Sequence, residues 1–123
     1  MSVIGKFFKF KTNNEDFCTA IIVAAGNSQR MGRDKIMMPL GDRPVIAHAL
    51  AAFQKCEFID EIIVVTKYEG RQEIADICND YKIDKTSKIV RGGRTRAESA
   101  LLGVSEANDR STLIAIHDGA RPF

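Results

Sequence analysis

The chain has 123 residues, 45% of them apolar and 28% charged, with a formal net charge of +2. This is the composition of one globular domain with a core of its own. A charge so close to neutral argues against nucleic-acid binding, and no apolar run approaches the ~20 residues of a membrane span. The three cysteines, Cys18, Cys56 and Cys78, form no CxxC pair. That argues against a disulfide or zinc framework and for reduced thiols in a cytoplasmic protein.

Residues 1–18 mix Lys6, Lys9 and Lys11 with Phe7, Phe8 and Phe10 and lack the apolar core and cleavage site of a signal peptide. They read as a poorly ordered leader, with an added strand as the alternative. Residues 19–24 are a continuous apolar run, the pattern of a strand covered on both faces. Residues 25–44 read as a loop, rich in glycine and proline. A helix is predicted from Pro44, with Ile46, Ala49, Leu50 and Phe53 on one stripe. EIIVVT at 61–66 is a second strand. Ile74, Ile77, Cys78 and Tyr81 repeat the helical spacing. Residues 88–91 form a short third strand. A helix over 95–108 carries Ala97, Ala100, Leu101 and Val104 on one stripe, and Thr95 with Glu98 forms a capping box at its start. Residues 113–116 are the fourth strand.

The alternation of strand and helix predicts an α/β fold: a doubly wound, mainly parallel sheet with right-handed crossovers and helices on both faces. Ligands of such sheets gather outside the carboxyl ends of the strands. Three loops emerge there, after Ala24, Arg91 and His117.

In the first loop, glycine and alanine allow backbone N–H groups to approach phosphates, while Arg30, Arg33 and Lys35 add positive charge. Neither GxxxxGK(S/T) nor GxGxxG occurs, so this is neither a Walker loop nor a dinucleotide fingerprint. Alone it reads equally as a solvated turn. In the second loop, Gly92 and Gly93 precede a capped helix N-terminus, a ready site for an anion or polar ligand. Capping accounts for Thr95 and Glu98. It does not account for Arg91, Arg94 and Arg96, whose charge opposes the helix dipole. In the third loop, Asp118 is placed to hold Mg²⁺ together with a phosphate, or else to cap a helix or form a salt bridge. His117 reads as structural or peripheral, His48 as solvent-facing, and Cys56 and Cys78 as core or near-core thiols.

These segments together carry a resemblance. AAGxxxRMG from Ala24 with Lys35, GGxTRxxS from Gly92, and HDGARP from His117 match, in order and spacing, the 2-C-methyl-D-erythritol 4-phosphate cytidylyltransferase family. The resemblance covers about residues 20–123, so that 19–123 would be the N-terminal portion of a Rossmann-like nucleotidyltransferase domain, incomplete on its C-terminal side.

It implies CTP and methylerythritol phosphate as substrates, Mg²⁺ as cofactor, and a homodimer at full length, with no nucleic acid and no membrane as partners. By position, Ala24, Ala25 and Gly26 would line the nucleotide with their backbone. Arg30 and Lys35 would neutralise the triphosphate. Gly92, Gly93 and Ser99 would hold the cytosine, Arg96 would support their loop, and Asp118 would bind Mg²⁺. The reaction would be attack of the sugar phosphate on the α-phosphorus of CTP, releasing pyrophosphate. A phosphate monoester with a second pKa of about 6 is largely ionised near neutrality, so no general base is required.

Two features depart from the family pattern. MGRDK at 31–35 has the shorter spacing of molybdenum-cofactor guanylyltransferases. The family's later strands, dimerisation arm and downstream substrate residues have no counterpart, so the 123-residue chain is expected to be inactive alone. The alternatives are another nucleotidyltransferase, of sugar-phosphate or molybdopterin type, and a nucleotide-binding fragment without turnover.

Overall fold

The computed structural model describes residues 16–24, 29–30, 33–34, 37 and 39–119, of which 29–30 and 33–34 are described in their backbone alone. Residues 1–15 of the expected leader lie outside these, while Phe17 and Cys18 are tied into the domain: their N–H groups donate to Thr112 Oγ1 (3.0 Å) and Asp60 Oδ2 (2.9 Å).

In chain order, strand β1 (Cys18–Val23) is followed by two short antiparallel hairpins, β2 (Gln29–Arg30) with β3 (Arg33–Asp34), and β4 (Pro39–Leu40) with β5 (Arg43–Pro44). These interrupt the stretch expected to be wholly loop. Helix α1 (Val45–Lys55), strand β6 (Glu61–Thr66), helix α2 (Arg71–Asp80), strand β7 (Thr86–Arg91), helix α3 (Arg96–Ser105) and strand β8 (Leu113–Asp118) complete the order. β7 begins two residues before its expected start, and β8 runs two residues past its expected end. His117 and Asp118 are therefore strand residues, paired with Ile22 and Val23, so the third loop begins after Asp118 and not, as expected, after His117.

The main sheet has the order β7-β6-β1-β8, every neighbouring pair parallel. A parallel sheet must be covered on both faces, and right-handed crossovers decide which helix covers which. The steps from β1 to β6 and from β6 to β7 move one way across the sheet. Their helices, α1 and α2, pack on one face, where Ile46, Leu50, Phe53 and Ile74 meet Ala20, Ile22, Ile62 and Val64. The step from β7 to β8 reverses direction, so α3 falls on the opposite face, with Ala100 and Val104 packed on Ile21, Val23, Ile63 and Val65. The order reverses between β1 and β8, which makes their carboxyl ends the switch point of the sheet.

Helix α3 corrects the expected stripe. Ser99 and Gly103 are its buried residues, while Ala97 is exposed and Leu101 is 69% exposed. Gly103 is what brings the helix close. A methyl group there would lie 2.5 Å from Ile21 Cγ2 and 2.8 Å from Val65 Cγ2. His48 also differs from expectation: it is half-buried, with its Nε2 2.6 Å from the carbonyl oxygen of Leu40.

The amino edge of the sheet is closed by one buried carboxylate. Glu61 accepts hydrogen bonds from Thr19 Oγ1 (2.9 Å), Ser87 Oγ (2.6 Å) and the Asn108 N–H (3.0 Å), joining β1, β6, β7 and the turn before β8. Burial alone would raise its pKa. The hydrogen bonds from Ser87, Asn108 and Thr19, with the charge of Lys88, outweigh burial and hold it below the ordinary carboxylate value.

Two outcomes are expected. Gly103→Ala gains about 1 kcal/mol of helix propensity but forces an overpacking cost of about 1–3 kcal/mol against two fixed strand side chains, so urea unfolding should show a net loss. Because the folded pKa of Glu61 is depressed, its contribution is fully present above about pH 4.3 and is lost as pH falls through the lowered folded value. Glu61→Gln should therefore unfold more easily than the parent at pH 7, and the gap should narrow in acid. A gap that stays constant between pH 7 and pH 3 would contradict the role given to the carboxylate.

Candidate functional site

The carboxyl edge has the opposite character to the amino edge: here strands end in backbone donors, small residues and arginines. Register places Arg91 beside Thr66, and Val23 between Val65 and Asp118. With strands about 4.8 Å apart, Arg91 and Asp118 stand roughly 14 Å from one another across the edge, a span suited to an extended ligand.

The first loop leaves β1 through Ala24, which is buried and donates its N–H to the Val65 carbonyl at 2.6 Å. Arg30 lies in β2, paired with Arg33. Ala25, Gly26 and Lys35 lie outside the described residues.

The second loop is bound at each step. The Gly92 N–H donates to the Thr66 carbonyl (2.8 Å), extending the β6–β7 ladder by one residue. The Gly93 N–H donates to Ser99 Oγ (3.0 Å), and the Glu98 N–H to Thr95 Oγ1 (3.0 Å). Thr95 is thus the N-cap of α3. Among the described residues the return bond of a full capping box is not made. The Glu98 carboxylate lies over Gly93, where a methyl group would sit 2.5 Å from its carboxyl carbon. Ser99 is fully buried. Its hydroxyl braces the loop from below. Arg91, Arg94 and Arg96 are exposed around the same turn.

The third segment is pinned against the first. The Gly119 N–H donates to the Val23 carbonyl (2.9 Å), and a methyl group on Gly119 would lie 3.1 Å from Ile22 Cγ2 and 3.4 Å from Ala24 Cβ. Strand alternation puts Asp118 on the α3 face, the face of the second loop, with its side chain half-buried. It puts His117 on the other face, where its ring packs edge-on against Phe53 with centroids 5.3 Å apart. That contact agrees with a structural or peripheral role for His117.

Sequence reasoning did not single out Thr66, which sits between the two loops. It is fully buried, and its Oγ1 has no hydrogen-bond partner among the described residues. A polar residue closing an apolar strand gives no signal of this kind. An open groove of about 560 Å³, lined by Glu69, Arg71, Gln72, Ala75 and Ile89, lies at α2 and β7, among none of the expected site residues.

Among the described residues no group of three or more His, Cys, Asp or Glu is placed to hold a metal ion. Asp118 by itself is one hard oxygen ligand. That donor set does not fit a metal caged by protein, but it fits Mg²⁺, which keeps several waters and binds through one or two carboxylates plus substrate phosphates.

The fold and this edge define the class of protein: a doubly wound α/β domain of the nucleotidyltransferase type. The sequence pattern of the 2-C-methyl-D-erythritol 4-phosphate cytidylyltransferase family matches residues 18–123, and the chain belongs to that family. It is 39% identical over 107 residues to the 2-C-methyl-D-erythritol 4-phosphate cytidylyltransferase of Halalkalibacterium halodurans, an alignment covering 85% of this chain and 46% of that protein. It is 42% identical over 106 residues to the protein of the same name from Clostridium tetani, covering 85% and 43%. Its fold is similar to the crystal structure of 4-diphosphocytidyl-2C-methyl-D-erythritol synthase from Anaerococcus prevotii, with a TM-score of 0.76 and 34% identity, covering 89% of this chain and 46% of that one. The chain therefore spans somewhat less than half the length of these relatives.

Thr95→Ala is expected to cost about 1 kcal/mol by removing the N-cap of α3. An unchanged melting temperature would contradict the cap.

Proposed function

We propose that the protein carrying this chain transfers the cytidylyl group of CTP to 2-C-methyl-D-erythritol 4-phosphate, releasing pyrophosphate, and that this chain supplies the nucleotide side of the site. The reading rests on one observation. Within a chain of this family, Ala24, the loop from Gly92 to the α3 cap, and Asp118 lie on one carboxyl edge of the sheet, with Ala24 and Asp118 at its switch point. Three free thiols among the described residues, and no helix there long and apolar enough to cross a membrane, are consistent with the cytoplasmic protein proposed here. The homodimer is proposed on the family resemblance alone.

In this reading Ala24, Ala25 and Gly26 offer backbone groups to the nucleotide, while Arg30 and Lys35 neutralise the triphosphate and the charge building on the α-phosphoryl group. Gly92 and Gly93 face the base. Ser99 acts through Gly93, and Arg96 supports the loop. Asp118 would hold Mg²⁺, which when bound shares the neutralisation of the phosphates. The nucleophile is already ionised, so positioning and charge stabilisation carry the reaction. Turnover is proposed to need the part of the relatives' length that this chain does not span.

Calorimetric titration with CTP, GTP and UTP in Mg²⁺ tests the reading, and CTP is expected to bind most tightly. Lys35→Ala should weaken CTP by about tenfold or more with the melting temperature unchanged. Asp118→Asn should lower the gain in affinity that Mg²⁺ gives. A Lys35→Ala chain that binds CTP as tightly as the parent would contradict the role of the first loop, and a preference for GTP would favour the guanylyltransferase alternative.

A further inference from the structure

We propose that His48 is a positioning residue for the first loop: its ring N–H holds the β4–β5 hairpin, the limb by which that loop returns to helix α1. The inference rests on the nucleotide reading above and goes beyond it, since that reading gives His48 no role.

The hairpin has little of its own to hold it. Its residue pairs are Pro39 with Pro44 and Leu40 with Arg43. Proline has no N–H, so the first pair contributes no backbone donor. A two-stranded hairpin is marginal even with a full ladder, and burial does not compensate here, because Pro39 and Leu40 are exposed. Side chains tie it to the domain instead. Met37, just before it, packs against the core on the α1 face. The Arg43 guanidinium lies over the Tyr81 ring, 5.2 Å from its centroid. His48 Nε2 stands 2.6 Å from the Leu40 carbonyl oxygen. A carbonyl oxygen can only accept, so Nε2 carries the proton. This tie is directional and fixes the backbone itself. It starts from a helix that is already fixed, with Ile46, Leu50 and Phe53 packed on the sheet. In sequence, Lys35 precedes Met37 by two residues and Leu40 by five. A charge that neutralises phosphates acts by its position, and a misplacement of about 1 Å can cost about 100-fold. The bond from α1 to Leu40 therefore bears on the loop's charge without His48 touching the nucleotide.

The test is titration of the 123-residue chain and its variants with CTP at constant Mg²⁺. His48→Phe keeps a ring and loses the N–H, and it should weaken CTP by about tenfold. His48→Ala should do the same. His48→Gln, whose amide N–H can reach the same carbonyl, should bind within about twofold of the parent. In a Lys35→Ala background, where the loop's charge is already gone, His48→Phe should cost little more, whereas an independent effect would add in full. Ile77→Val, a small loss in the buried face of α2, should lower the melting temperature and leave CTP affinity unaltered. Melting curves confirm that each variant is folded. The inference is overturned, with the nucleotide reading intact, if Lys35→Ala weakens CTP while His48→Phe and His48→Ala bind as the parent does. It is equally overturned if His48→Gln fails to restore binding, if the His48 and Lys35 losses add in full, or if Ile77→Val weakens CTP as much. If the parent does not bind CTP, or Lys35→Ala binds it as tightly as the parent, the reading of the first loop falls and takes the inference with it.

Discussion

The structure depends on β1 being paired in parallel along both of its edges. Parallel strands cannot be joined by tight turns, so each pairing demands a crossover, and the handedness of crossovers then distributes the helices between faces. Because β6 lies on one side of β1 and β8 on the other, the chain must reverse its march across the sheet once. That reversal creates both cores: Ala20 and Ile22 serve one face, Ile21 and Val23 the other. It also brings Ala24 and Asp118, 94 residues apart in sequence, to the same edge.

The two ends of the sheet then divide the work. The amino end is finished in stability terms, its buried Glu61 satisfied by three donors and helped by Lys88. The carboxyl end is left with small residues, arginines and a half-buried carboxylate, an arrangement that makes sense with a ligand in it. Helix α3 connects them as a strut. The Asn108 N–H, just beyond its C-terminus, reaches Glu61, and Ser99, in its first turn, holds Gly93. The close approach at Gly103 fixes its height over the sheet, so the position of the base loop is set by packing well away from it.

Much of this was legible in the chain itself. The apolar runs of β1 and β6, the stripe of α1 and the Thr95 cap are local patterns, and local physics produces them. The three loop motifs carried the family. What could not be read locally was fixed by partners distant in sequence. β8 extends through Asp118 because Val23 is there to pair with it. Glu61 reads as the polar start of a strand and becomes a buried hub because Thr19, Ser87 and Asn108 converge on it. The buried stripe of α3 follows the small residues Ser99 and Gly103, while Leu101, which apolarity alone would bury, faces outward, because depth of approach governs that interface.

The central claim is that the carboxyl edge at the switch point is where nucleotide binds. Amide chemical shifts of the ¹⁵N-labelled chain, followed through a titration with CTP and Mg²⁺, test it most directly. The account predicts that the largest perturbations fall on Ala24, Gly92, Gly93, Ser99, Asp118 and Gly119, with the amino-edge amides of Glu61 and Asn108 unmoved. Perturbations centred instead on Glu69, Arg71 and Gln72, in the groove beside α2, would contradict it.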